Sequence, residues 1–136
     1  MGEGELDNLA RIGQLKKEAP DRAEIVGLIR SGRTRLADAK NGSLSLESRF
    51  DLAYNAAHAL ALAAMRGHGY RPGSRYQVFQ CLVHTLDLPI EEQRILIEAH
   101  RRRNLAEYEG HVEVDENLVD AMVRVASELS VRLNGP

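Results

Sequence analysis

The sequence predicts an all-α protein, a four- to five-helix up-down bundle, and three observations predict it. Ala and Leu are abundant while aromatic residues make up only 4% of the chain, a composition that favours helix. Apolar residues recur three and four positions apart in several long segments, the spacing of one helical face. Helix starts and stops, namely Asp, Ser, Pro and Asn-Gly, punctuate those segments and leave short loops, so sequential helices should run antiparallel. No segment shows convincing two-residue alternation, and Val112-Glu113-Val114 reads as a connector rather than a strand.

The elements follow in order. Residues 1–20 form an N-terminal arm or short helix, with a weak apolar pattern over 7–18 and Asp7 as its cap; 21–136 form the bundle. Pro20 suits a helix start, and Ile25, Ile29, Gly32, Leu36 and Ala39 make one face of a helix over 21–40 that Asn41-Gly42 ends. Ser45 caps a helix over 46–67. Leu46, Phe50, Ala53, Ala57, Leu60 and Ala64 make its stripe, and Leu52, Tyr54, Ala56, Ala59, Ala61, Ala63 and Met65 extend it nearly all round, so this helix should be central. Gly67, Gly69 and Pro72-Gly73 mark a loop. A shorter helix over 74–87 carries Val78, Phe79, Leu82, Val83 and Leu86. Pro89, with Glu91 and Glu92 at the positive end, opens a helix to Tyr108 that Gly110 ends. Asp115 caps the last, which shows Leu118, Met122, Val125, Leu129 and Leu133 and closes at Asn134-Gly135.

Composition removes several function classes. A length of 136 residues fits one domain with a real core. The net charge of −2 gives no global signature of nucleic-acid binding, although a local basic patch remains compatible with it. One cysteine, Cys81, excludes a disulfide framework and suits the cytoplasm. Neither a membrane-length apolar run nor a signal-peptide pattern is present. Glu-x-x-His pairs of a di-iron bundle, zinc spacing and a Walker A loop are all missing, so neither a metal nor a cofactor is expected.

The helix over 89–108 carries the unusual chemistry. On a wheel of about 100° per residue, Arg94, Glu98, Arg101, Arg102 and Glu109 share the solvent face. The opposite face holds Leu96, Ile97, Ala99 and Ala106, but also His100, Arg103, Asn104 and Glu107, spaced i, i+3, i+4 and i+7. Turning a guanidinium inward is costly unless it is paired. One explanation is an i,i+4 pair of Arg103 with Glu107 at a helix contact; the other is a polar cleft in which Arg103 meets a phosphate. A second candidate is the loop over 66–76, where Arg66, His68, Arg71 and Arg75 alternate with Tyr70 and Tyr76. Such a loop grips single-stranded RNA in some proteins and is a solvated turn in most. His58, His84 and Cys81 read as interior residues.

From about residue 22 to 134 the chain resembles the HEPN-domain family of small helical bundles. The resemblance is carried by LAYNAAHALALAAMRGHGYRP, by the following SRYQVFQCLVHTLDLP, and by RNLAEY late in the penultimate long helix. The family signature is Arg, a polar residue often Asn, a short spacer, then His. Arg103 and Asn104 match the first two positions, and Tyr108 stands where His would fall. In active members the resemblance implies metal-independent RNA cleavage in a homodimer cleft, with the arginine on the scissile phosphate and the histidine moving a proton. A phenol with a pKa of about 10 is a poor base at neutral pH. His100, one turn before Arg103, is the substitute its position allows. The resemblance thus implies a non-catalytic module that binds RNA, a nucleotide or a protein partner around Arg103 and Asn104, with Arg66, Arg71 and Arg75 as further RNA contacts. The alternatives are an endoribonuclease of toxin–antitoxin type using Tyr108, and a purely structural bundle. A homodimer and a nucleotidyltransferase-like partner are further implications of the same resemblance.

Overall fold

The computed structural model describes residues 2–134. Seven helices and one two-stranded ladder follow in the order α1 (Gly2–Arg11), β1 (Leu15–Lys17), α2 (Arg22–Ala39), α3 (Leu46–Gly67), β2 (Tyr70–Pro72), α4 (Arg75–Gln80), α5 (Leu82–Thr85), α6 (Ile90–Glu109) and α7 (Glu116–Asn134). Of the caps read from the sequence, Ser45 and Asp115 are in place, and Asp21 and Ser74 cap two further helices. The Asp21 carboxylate accepts from the Glu24 amide, Ser45 from Ser48, Ser74 from Gln77, and Asp115 from Leu118. Gly110 ends α6 with a φ of 82°, in the left-handed region. The close expected at Asn134-Gly135 lies partly outside the described residues.

The four long helices alternate in direction. Arg49 near the start of α3 bonds the Ala39 carbonyl, and Arg66 at its end bonds Glu24 near the start of α2, so the pair is antiparallel. Arg124 reaches Glu92, and Arg102 reaches Glu113, which makes α6 and α7 antiparallel. Arg49 pairs with Asp120, while Arg33, beside Gly32 and hence Leu60, bonds Ser130; α3 and α7 therefore run the same way. The result is an up-down-up-down bundle, as the sequence predicts, with α4 and α5 bridging α3 to α6.

Helix α3 is the centre. Phe50, Ala53, Tyr54, Ala56, Ala57, Leu60 and Ala61 are all essentially inaccessible. They pack with Leu36, Val78, Phe79, Leu82, Leu96, Met122, Val125 and Leu129 from the surrounding helices. Small side chains let backbones approach. A Cβ on Gly32 would stand 2.7 Å from Leu60 Cγ, so α2 meets α3 only because that position is glycine.

Three expectations need correction. The arm forms no helix over 7–18; α1 ends at Arg11, Gly13 turns the chain with a φ of 86°, and β1 pairs antiparallel with β2. Three residues are too few for alternation to show in a sequence. Asp7 is mid-helix, not a cap: its carboxylate accepts from the Tyr70 hydroxyl and pairs with Lys17 at 3.3 Å. The helix over 74–87 is two pieces, because the chain breaks at Cys81. The arm docks on its own bundle through a second small core of Leu6, Leu15, Met65, Tyr70 and Cys81.

A buried charge network closes this end. Arg66 has no exposure at all. Its Nε donates to Glu24 Oε1 at 2.9 Å, Nη1 to the carbonyls of Glu18 (2.9 Å) and Tyr70 (3.2 Å), and Nη2 to that of Ala19 at 2.7 Å. Arg71 bonds the carboxylates of both Glu18 and Glu24. One side chain thus fixes α3, β2 and the link from β1 to α2. Arg66→Met removes that donor from the carbonyls of Glu18, Ala19 and Tyr70, and chemical denaturation should show a loss of about 3–5 kcal/mol. Arg71→Met, at a half-exposed position, should lose much less.

Candidate functional site

The wheel places the start of α6 correctly and fails near its end. Leu96 and Ala99 are buried, and Arg94, Arg101 and Glu109 face solvent as expected. Asn104 is exposed, Glu107 is 67% exposed and Tyr108 is 90% exposed, so these do not face inward. Ala99 is the last fully buried residue of α6; beyond it the helix runs past its neighbours. A wheel gives the angle of a side chain but not how far the covering helices extend. Arg102 is also not a free surface charge, since its Nε bonds Glu98 at 2.8 Å and its Nη1 the Glu113 carbonyl at 2.7 Å. Glu98 holds both Arg101 and Arg102, and those bonds pull its carboxyl down to about 2.

What remains of the polar cluster gathers around Tyr54 of α3. Tyr54 is 1% exposed, with Phe50 stacked on one side at 6.3 Å and Phe79 edge-on at 5.6 Å. On its outer side the His100 ring stacks at 6.3 Å with an interplanar angle of 16°. The Tyr54 hydroxyl and His100 Nδ1 are 2.9 Å apart, and the Asn104 amide nitrogen lies 3.1 Å from His100 Nε2. An amide N–H donates, so Nε2 accepts; Nδ1 then carries the ring proton and donates to the tyrosine oxygen. These contacts suit a neutral imidazole protonated at Nδ1.

Two guanidiniums flank the same ring. Arg103 Cζ lies 5.0 Å from the Tyr54 centroid and Arg75 Cζ, from the start of α4, 5.9 Å. Tyr76 is 42% exposed and tilts against His100 at 6.3 Å, and His58 sits edge-on to Phe79 at 5.9 Å. Burial first, then Arg75, Arg103 and His100, push the His58 imidazole down to about 4. Burial, Arg103 and Arg75 lower His100 in the same order. Asp51 is raised by burial and by Glu47 against an opposing pull from Arg103.

The loop candidate divides. Arg66 is buried and cannot reach an RNA, Tyr70 is buried against Asp7, and the Arg71 charge is neutralised by two glutamates. Arg75 and Tyr76 alone join the α6 cluster. Sequence reasoning missed Tyr54 and His58 as site residues because both lie in an apolar stripe. Their i,i+4 spacing on the helix opposite His100 was the only available signal. Cys81 is a core residue, and burial pushes its thiol up to about 11.

Among the described residues, no group of three or more His, Cys, Asp or Glu side chains could hold a metal ion. No described helix is long and apolar enough to cross a membrane. No protein-family model matches the chain, and comparison with curated proteins and with solved structures gives no match. The molecule is therefore an all-α bundle with a cationic, aromatic-backed side-chain cluster where α3, α4 and α6 meet.

A group held neutral by burial and nearby cations costs stability on acidification. The unfolded chain binds a proton at His58 near 6.5, and the folded chain only near 4, so stability is intact above 6.5 and falls as pH drops between those values. Allowing for the partial exposure of the ring, the loss from pH 7 to 5 is about 1 kcal/mol. Urea melts of His58→Gln should lack that component.

Proposed function

We propose that this protein is a non-catalytic HEPN-like module that binds RNA through its phosphates at Arg75 and Arg103. One observation carries the reading: two arginines from different helices converge on one aromatic ring without strong neutralisation. No ion pair holds Arg75 among the described residues, and Arg103 has a 3.8 Å contact with an exposed Glu107 and a longer-range coupling to Asp51. Arg66 and Arg71, by contrast, are consumed by Glu18 and Glu24. Planar guanidiniums suit phosphate oxygens, and Tyr76 beside them offers a face for a base. A nucleotide presents the same chemistry to the same site. The motif match at Arg103 and Asn104 supports the family reading. A homodimer, a nucleotidyltransferase-like partner protein and a cytoplasmic location come with that reading as further proposals.

A second reading, a metal-independent endoribonuclease of toxin–antitoxin type, has one observation in its favour. Burial, Arg103 and Arg75 lower the His100 pKa and so favour its neutral imidazole, the form that accepts a proton. Tyr108, the motif residue in the histidine position, is 90% exposed and makes no side-chain hydrogen bond or ring contact with the cluster among the described residues. The purely structural reading rests on Arg103 and Glu107 bridging helices, yet both belong to α6 and stand 3.8 Å apart.

Fluorescence anisotropy with labelled single-stranded RNA in EDTA tests the proposal. Arg75→Ala and Arg103→Ala should each weaken binding about tenfold and reduce the salt slope by roughly one, while Arg71→Ala and Tyr108→Phe leave both unchanged. Cleavage of the RNA, lost in Arg103→Ala and His100→Gln, would favour the ribonuclease. Equal binding by wild type and both arginine variants would refute the site.

A further inference from the structure

We infer that ligand binding at this site is proton-coupled: His100 takes up a proton at Nε2 when an anionic phosphate enters beside Arg75 and Arg103. The inference rests on the reading of those two arginines as the anion site, and adds how the site is regulated.

The argument begins with the charges that surround the imidazoles. From α3, His100 faces Tyr54 and His58; from α4, it faces Arg75 and Tyr76; on its own helix, it has Arg103 and Asn104. His58 feels Arg75, Arg103 and His100. The carboxylates are further out: Glu107 contacts Arg103, and Asp51 is coupled to it. Among the described residues, no ion pair joins a carboxylate to either of these rings, whereas His68 at the other end of α3 has Glu3 at 2.6 Å. Two permanent cations therefore oppose a third charge in the cluster, and nothing anionic is close enough to offset it.

An entering phosphate removes that opposition. It is attracted by the guanidiniums, cancels their field at the rings, and favours the charged imidazole. By linkage the effect is reciprocal: a protonated imidazole tightens the phosphate by the same factor. The imidazolium also gains an N–H that can donate to a phosphate oxygen.

His100 rather than His58 is assigned the proton because its hydrogen bonds can rearrange. Nδ1–H donates to Tyr54 in either state. Nε2 accepts from the Asn104 amide now, and once protonated it needs an acceptor. Asn104 is exposed, so its amide can turn and present its oxygen without disturbing the core, or give way to the phosphate. His58 has the more strongly buried ring and, among the described residues, makes no side-chain hydrogen bond that could reorganise.

The sign follows. Protons are bound on association, so affinity rises as pH falls toward the mildly acidic range, with a limit of roughly tenfold per pH unit for one proton. A group that merely supports the fold would not produce this.

Isothermal titration with an oligouridylate bearing hydroxyl ends tests it, since uracil and internal phosphodiesters do not titrate between about pH 5 and 7. Runs in two buffers of different ionisation enthalpy give the number of protons exchanged. Wild type should take up a substantial fraction of one proton at about pH 6, His58→Gln should retain most of it, and His100→Gln should lose it. Asn104→Asp, at an exposed position, is a second test that leaves the imidazole in place. Its carboxylate charges His100 before the ligand arrives, so uptake falls. Binding without uptake in wild type, or uptake unchanged in both His100→Gln and Asn104→Asp, overturns the inference and leaves the anion site standing. No binding at either end of the pH range overturns both.

Discussion

Helix α3 is apolar on nearly every side, and the rest of the molecule is arranged to cover it. No single neighbour can do so: α2 lies along one flank, α7 along another, and α4 to α6 close the remainder, while the N-terminal arm and the small ladder seal the end. The helix is built for close approach, with Ala at seven of its buried positions and Gly32 opposite Leu60. Hydrophobic burial along its length is the main stabilising term, and the other helices take their alternation from the need to wrap it.

Polar groups interrupt that apolar surface at two places, and each place marks where coverage changes. At the C-terminal end, Arg66 stands among backbone carbonyls that the turning chain leaves without donors, so the buried guanidinium serves as a hub. Midway, Tyr54 lies where α4 and α6 meet over α3. Its ring belongs to the core on one side and carries His100, Arg75 and Arg103 on the other. The same aromatic surface excludes water behind the arginines. That raises the strength of any charge interaction in front of them. Arginine is thus used in two ways, as a satisfied internal donor set and as an incompletely neutralised surface charge, and only the second is available to a ligand.

Long-range apolar periodicity made the bundle legible in the sequence: the centrality of α3 and the extents of α2, α3, α6 and α7 follow from spacing and caps. The failures share one cause. The β1–β2 ladder and the burial of Arg66 both depend on contacts between segments distant in sequence. Glu18 and Glu24 meet Arg66 across more than forty positions, and no local pattern shows it. On α6 the spacing identified His100, Arg103 and Asn104 as neighbours, which they are, but could not tell that the helix outruns its cover before Glu107 and Tyr108. Tyr54 and His58 were hidden because a polar group on an apolar stripe is recognisable as a site residue only once its partners on another helix are known.

The central claim is that phosphate is bound where Arg75 and Arg103 flank Tyr54, and nitrogen-detected NMR of the arginine side chains tests it most directly. On addition of single-stranded RNA, the Nε resonances of Arg75 and Arg103 should shift together with the His100 ring signals, while those of Arg66 and Arg71 stay in place. Shifts confined to the α2 arginines Arg30 and Arg35, with Arg75 and Arg103 unmoved, would contradict the account.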